Sequence, residues 1–247
     1  MCWSASASLA LGTATAGMAG YAHTEGESTY FTLPLFYFSL MEFLQFFSYF
    51  SINQCALESN TALTFLSYVH IAFQPLFINM FLMATSPRGV EKISRQTKRI
   101  IFSLTLVIAL LLLTKLVPFF PASICAPGQT LCSTLNMCTM SGSWHLAWYV
   151  PQYNLPLPGD GFLYYGFGIF FLPLFYGAWV GILVLLFTGP LIAYALAGGN
   201  PNEWPAIWCL YSVLIMLTLM TRESRRLVKI ATERFTSVDT GIEGSPR

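Results

Sequence analysis

The stretch FSLMEFLQFFSYF, from Phe38 to Phe50, places one carboxylate, Glu42, and one amide, Gln45, among aromatic and aliphatic residues. The whole chain shares this apolar character, because 55% of its 247 residues are hydrophobic and only 9% are charged. Soluble globular domains carry about 25% charged residues. Long apolar runs with so little charge are typical of an integral, multi-pass membrane protein, in a membrane that the sequence does not specify.

The charge and the motifs of the chain limit the classes of partner and activity that it can have. A net charge of +1 provides no basic surface for nucleic acid. The apolar composition makes the lipid bilayer the predicted partner, with an ion, a small solute or a lipid as candidate ligands. The chain contains no P-loop, no His-Glu-x-x-His and no Gly-x-Ser-x-Gly, which are motifs of common soluble enzymes. The sequence therefore indicates no particular cofactor or metal, and it leaves enzyme activity an open question.

Several segments are long enough to cross a bilayer, which takes roughly 20 mostly apolar residues per helix. The predicted spans are residues 3–22, 31–52, 63–84, 100–120 and 204–221, together with a longer apolar stretch at residues 161–198. This long stretch is either one tilted helix or two short ones.

The positions of Lys and Arg favour two helices in residues 161–198. Basic residues collect on the cytoplasmic side of short loops, and they fall here in one loop and in the C-terminal tail: Arg88, Lys92, Arg95, Lys98 and Arg99, then Arg222, Arg225, Arg226, Lys229, Arg234 and Arg247. An even number of spans must separate these segments, so the chain is predicted to turn back near Gly177–Gly181. The expected fold is an all-α polytopic transmembrane bundle of about seven spans in one domain, residues 1–221. Its N-terminus is expected outside, with a cytoplasmic tail at residues 222–247.

Residues 1–22 also have features of a cleavable signal peptide, but no Lys or Arg precedes the apolar run, as a signal peptide requires. Small residues recur instead every three or four positions, at Ser4, Ser8, Gly12 and Thr15. Small residues let helices approach closely in membranes. The segment is therefore predicted to be a packed span.

Four cysteines, Cys55, Cys125, Cys132 and Cys138, fall on the predicted outer side, three of them in a Cys/Trp-rich segment at residues 121–160. Disulfides persist in such a compartment. Metal binding is the alternative, although the spacing matches no standard zinc site. Disulfides are therefore predicted, and three pairings remain possible.

A buried polar cluster is predicted in the second and third spans, and its members are Glu42, Gln45, His70, Gln74 and Asn79. Glu42 lies about ten residues below the outer end of its span and His70 about eight below that of the next, so at 1.5 Å per residue their depths match. Intramembrane ionisable residues are costly and usually functional. The alternative is a clamp between helices, although an interhelical hydrogen bond contributes only about 0.6 kcal/mol on average.

Two outer-face residues are weaker candidates for the same site. His145 lies in SGSWHLAWYVPQYN (Ser141–Asn154), which is predicted to form a lid on the outer leaflet; an interfacial histidine beside two tryptophans is the simpler interpretation. Glu203 precedes Pro205 at the start of the last span, where a carboxylate favours a helix N-terminus. It is also a candidate for the lining of an outer vestibule.

The opening MCWSASASLALG resembles a family of uncharacterised multi-pass membrane proteins that begin Met-Cys-Trp-Ser. The resemblance extends through LMEFLQ, LTFLSYVHIAFQPLFIN, SGSWHLAWYVP, FFLPLFYGAW and NPNEWPAIWC, and so covers most of the chain. It implies no known activity, but it implies that these motifs occur together.

Three functions follow as expectations. In the first, the protein is a transporter, a channel or a proton-coupled sensor for an ion or small solute, in which Glu42 carries the proton and His70 is its partner. In the second, Glu42, His70 and His145 bind a metal or act as acid and base on a lipid. A three-histidine metal site is disfavoured, because His23, the third histidine of the chain, maps to the cytoplasmic side. In the third, the polar cluster is only structural.

Overall fold

Helices form most of the computed structural model, which describes residues 3–86, 89–118, 125, 129–133, 137–153, 161–219 and 230. The tail predicted at residues 222–247 lies outside this part of the chain, apart from Ile230. The helices of the first half are α1 (Ala5–Thr24), α2 (Thr29–Ser48), α3 (Glu58–Thr85), α4 (Gly89–Lys92) and α5 (Arg95–Thr114). Serine caps begin two of them, because the hydroxyls of Ser4 and Ser94 accept hydrogen bonds from the N–H groups of Ala7 and Thr97.

A two-stranded antiparallel sheet covers one end of the helices, an element that the all-α prediction did not include. Its strands are β1 (Cys138–Ser141) and β2 (Leu146–Tyr149), and they are called the hairpin below. Thr139 fixes the hairpin to α3: its N–H donates to Asn60 Oδ1 at 2.8 Å, and its carbonyl accepts from Asn60 Nδ2 at 2.9 Å. The predicted outer lid is therefore a folded β element, docked on the bundle.

The second half of the chain forms two helical rods and a last helix. The first rod joins α6 (Gly161–Gly166) to a π turn (Phe167–Phe171) and a 3-10 turn (Leu172–Tyr176). The second joins α7 (Trp179–Leu186), a π turn (Phe187–Leu191) and α8 (Ile192–Ala197), and α9 (Trp204–Thr218) follows a 3-10 turn (Pro201–Glu203). Gly177, with φ +77°, makes the turn between the rods, and glycine adopts this conformation without strain. The chain thus reverses at the predicted place.

The bundle has two chemically different ends. At the hairpin end, Trp3 N–H donates to the Trp144 carbonyl at 3.1 Å, and Tyr153 N–H donates to the Lys115 carbonyl at 2.9 Å. The opposite end carries the described residues of the basic loop, Lys92, Arg95, Lys98 and Arg99. Of the five described Lys and Arg residues, four therefore lie opposite the hairpin, and Lys115 lies at the hairpin end.

Among the described residues, four helical segments are long and apolar enough to cross a membrane: Thr29–Ser48, Glu58–Thr85, Arg95–Thr114 and Trp179–Ala197. Leu163–Tyr176 is apolar but shorter, α9 has 15 residues, and α1 has the length without the apolarity. Length and composition thus support four candidate spans.

Candidate functional site

Glu42 lies at the contact between α1 and α2, with no solvent exposure. Gly12 makes this contact close, because a Cβ atom placed on it would lie 3.2 Å from Glu42 Cβ. Ser8 and Thr15 are buried on the same face of α1, whereas Ser4 is its exposed cap. The stripe of small residues in α1 therefore packs around the carboxylate.

The Glu42 side chain is poorly satisfied. The Ser8 hydroxyl accepts from Trp3 Nε1 at 2.9 Å and lies beside the carboxylate. Neither carboxylate oxygen has a hydrogen-bond partner of ordinary geometry among the described residues, and the same is true of both amide atoms of Gln45. An unsatisfied buried polar group costs about 1–3 kcal/mol. Four such atoms on one helix face indicate a site built for something other than packing.

Tyr49 connects this face to the hairpin. Its hydroxyl lies 3.4 Å from His145 Nδ1, which also accepts from the N–H of Leu146 at 2.8 Å. Because Nδ1 accepts, the proton of the neutral imidazole is on Nε2, which has no acceptor among the described residues. Burial, and then the charges of Glu42 and Glu203, raise the pKa of Tyr49, so the phenol keeps its proton.

His145 should make the protein sensitive to acid. Burial lowers the pKa of His145 to about 3, so below its ordinary value of about 6.5 only the unfolded chain takes up the proton. The contribution of neutral His145 to the free energy of unfolding is complete above about pH 6.5. It falls as the pH drops, by about 2 kcal/mol between pH 7 and 5. We expect the melting temperature of His145→Asn, which keeps an acceptor near Nδ1, to depend less on pH over this range. The exposed His23→Asn should retain the wild-type dependence, and equal slopes in both variants would exclude His145 as the cause.

Glu203 fixes the turn of the hairpin. Its fully buried carboxylate accepts from the N–H groups of Ser143 at 2.9 Å, Trp144 at 2.6 Å and His145, and from the Ser143 hydroxyl at 3.1 Å. Gly142 permits this approach, because a Cβ atom there would lie 2.4 Å from the carboxyl carbon. Glu203 thus binds the hairpin rather than capping α9 with its side chain.

His70 is not hydrogen-bonded to Glu42, contrary to the predicted pairing. Its Nε2 donates to the Tyr37 carbonyl at 2.7 Å, its ring stacks on that of Tyr37 at 3.9 Å, and the Tyr37 hydroxyl donates to the His70 carbonyl. The helix boundaries explain the difference, since Glu42 lies six residues from the end of α2 but His70 twelve from the start of α3. At 1.5 Å per residue this separates their depths by about 9 Å.

Gln74 connects α3 to the helices of the second half. Its oxygen accepts from the Tyr165 hydroxyl, and its nitrogen donates to Cys209 Sγ at 3.0 Å. Cys209 is a buried free thiol within electrostatic range of Glu42. Cys2 lies outside the described residues.

Asn79 is fully satisfied. It donates to the carbonyls of Pro75 at 2.7 Å and Gly168 at 2.8 Å, and accepts from the Tyr176 hydroxyl at 2.8 Å. Asn79 therefore acts as a clamp between α3 and the first rod. Of the predicted polar cluster, only Glu42 and Gln45 share one unsatisfied face.

The predicted disulfides are confirmed, and the structure pairs Cys55 with Cys138 and Cys125 with Cys132. The first joins the segment between α2 and α3 to the hairpin. The second lies at the same end of the bundle.

A model of a family of unknown function, DUF5765, matches residues 6–229. The chain belongs to this family. The chain matches no curated protein and no solved structure. The expected membership in an uncharacterised family is thus confirmed, although the Met-Cys-Trp-Ser opening precedes the matched residues.

The DUF5765 chain also contains site residues that the sequence analysis missed. Ser8 lies beside Glu42, and Tyr49 lies about two helical turns from it, within electrostatic range. Tyr49 was recognisable because positions 42, 45 and 49 share a helix face. Among the residues that the structure describes, no three His, Cys, Asp or Glu side chains lie close enough together to hold a metal ion. The candidate site is therefore a group of polar residues, Glu42, Gln45, Tyr49, Ser8 and His145.

Proposed function

We propose that this DUF5765 protein is a multi-pass membrane protein in which Glu42 takes up and releases a proton, coupled to movement of an ion or small solute across the membrane. The observation that carries the proposal is the fully buried Glu42, whose oxygens have no hydrogen-bond partner of ordinary geometry among the described residues. A neutral carboxylic acid is tolerated in such a place far better than a carboxylate. The two protonation states therefore differ strongly in their fit to the same site.

The surface of the helices supports a bilayer location. Large apolar side chains point outward along them, with Leu110, Phe175 and Phe187 exposed by 52%, 61% and 60%. Contiguous apolar surface is unfavourable in water and favourable against lipid tails. The first rod, α1 and α9 would add three spans to the four that meet the length and apolarity requirements, which gives about seven.

Charge and disulfides support one orientation in this proposal. Disulfides persist on the outer side, and both lie at the hairpin end. The basic residues Lys92 and Arg95 lie at the other end, which the positive-inside rule assigns to the cytoplasm. The N-terminus is then outside and the C-terminus inside. His70 takes no part in this version, because its hydrogen bond goes to Tyr37.

The test is flux in liposomes that contain the purified full-length protein. A pH gradient is imposed with sodium, potassium or chloride in turn on one side, and internal pH is followed with a dye. We expect wild-type protein to dissipate the gradient with at least one of these ions and Glu42→Gln to lose roughly 90% of that flux, because glutamine cannot exchange a proton.

Glu25→Gln, which changes an exposed carboxylate at the end of α1, is the matched control and should transport normally. Equal flux in Glu42→Gln and wild type would remove Glu42 from the mechanism. A wild type that moves none of the ions, combined with a Glu42→Gln variant that unfolds, would favour a helix clamp.

A further inference from the structure

The surroundings of Glu42 differ sharply in its two axial directions. Toward the basic end, α2 presents large apolar side chains to the interior, with Met41, Phe38, Leu35 and Phe31 exposed by 2% or less. Thr32 and Ser39 are the polar residues buried in this half of α2, and the Ser39 hydroxyl donates to the Phe36 carbonyl of its own helix. On the facing side of α1, the Thr15 hydroxyl donates to the Leu11 carbonyl of its own helix. Among the described residues, neither α1 nor α2 therefore carries a buried polar atom without a partner in this direction.

Toward the hairpin end, polar groups follow one another. Gln45 is one turn above Glu42 and Tyr49 a turn further, both on the same face of α2. Tyr49 is only partly buried and its hydroxyl reaches His145, whose Nε2–H has no acceptor among the described residues. Polar atoms without partners in a closed interior are commonly satisfied by ordered water.

We propose that the proton of Glu42 reaches it from the hairpin side, through a water-filled polar column lined by Gln45, Tyr49 and His145. The column ends at Glu42, because the packed apolar half of α2 begins there. The inference rests on the proposed function only in taking Glu42 as a group that binds a proton.

Other ionisable groups that face this region do not supply an alternative route. Cys209 on α9 accepts from Gln74 and is buried, and Glu203 is occupied by the turn of the hairpin. His70 on α3 donates from Nε2 to the Tyr37 carbonyl, and its Nδ1 has no partner among the described residues. His70 lines an apolar groove with Leu40 and Phe73, which neither Glu42 nor Gln45 lines. Tyr49 and His145 therefore remain as the groups that connect Glu42 with the outer surface.

The experiment measures hydrogen–deuterium exchange at the Glu42 carboxyl by infrared spectroscopy. The full-length protein in lipid membranes is held at acidic pH, and its buffer is replaced with D2O. The carboxylic-acid C=O band absent from Glu42→Gln identifies Glu42, and its shift with time gives the exchange rate. We expect Gln45→Leu to slow that exchange roughly tenfold or more, because an apolar side chain would then interrupt the column.

Gln45→Leu suits this purpose, because neither amide atom has a partner to lose and a side chain of similar volume replaces it. The matched control is Met41→Leu, which places the same residue at a buried position on the apolar side of Glu42 and should leave the exchange rate unchanged. Unaltered exchange in Gln45→Leu, or equal slowing in Met41→Leu, would overturn the proposed route while the proposed function stands. If no C=O band disappears in Glu42→Gln at any pH, Glu42 binds no proton and the proposed function itself fails.

Discussion

Glu203→Gln should loosen the hairpin and lower the free energy of unfolding by about 3 kcal/mol, a cost typical of disrupting hydrogen bonds to a buried charge. The carboxylate accepts three backbone N–H groups and one hydroxyl. Glutamine has nearly the same shape but replaces one acceptor oxygen by an NH2 donor. At least one N–H of the turn then faces another donor in a buried place. Thermal unfolding of the purified protein measures the effect, which corresponds to a melting temperature lower by roughly 10 °C.

Glu58→Gln is the matched control for this change, since Glu58 is an exposed glutamate in the first turn of α3. Substitutions at exposed positions usually change stability by about 0.5 kcal/mol or less. If Glu203→Gln and Glu58→Gln have the same melting temperature, the turn of the hairpin does not depend on a charged acceptor.

Loss of the Cys55–Cys138 disulfide should be the most destabilising change. The two cysteines are 83 residues apart, and in the chain-entropy model closing a loop of this length contributes about 4.5 kcal/mol. The Cys55→Ser/Cys138→Ser protein should therefore show a much lower unfolding midpoint in denaturant. It should also expose the hairpin to proteolysis, because the bond attaches β1 to the segment between α2 and α3.

The second disulfide is the natural comparison. Cys125 and Cys132 are seven residues apart, for which the same model gives about 2.4 kcal/mol. Equal losses in the two double-serine proteins would show that loop length does not set the stabilisation. Reduction of wild type should reproduce the combined loss.

The features predicted best from the sequence are those that depend on local composition and chain order. The reversal at Gly177 followed from an apolar stretch too long for one span, bounded by basic segments that require an even number of crossings. The close packing at Gly12 followed from the spacing of small residues, which is visible in the sequence itself. The set of disulfide-bonded cysteines followed from the same predicted topology, but their pairing required the structure.

Contacts between distant segments were not predictable in the same way. The Glu42–His70 pairing failed because it depended on the ends of two helices, and an error of about five residues at each end moves a side chain by more than one helical turn. Glu203 and the Ser143–His145 backbone are about 60 residues apart, and no local pattern indicates that they meet. No local sequence pattern predicted the π turns in the two rods either.

The long disulfide also constrains how the protein is made. Cys55 emerges from the ribosome before α3 and α5, whereas its partner Cys138 follows both of them. The earlier thiol must stay unpaired while this intervening chain is synthesised, although Cys125 and Cys132 become available before the correct partner does. A cell with a weak oxidase or isomerase should therefore accumulate molecules joined through Cys55 to the wrong cysteine, separable from the native form on a non-reducing gel.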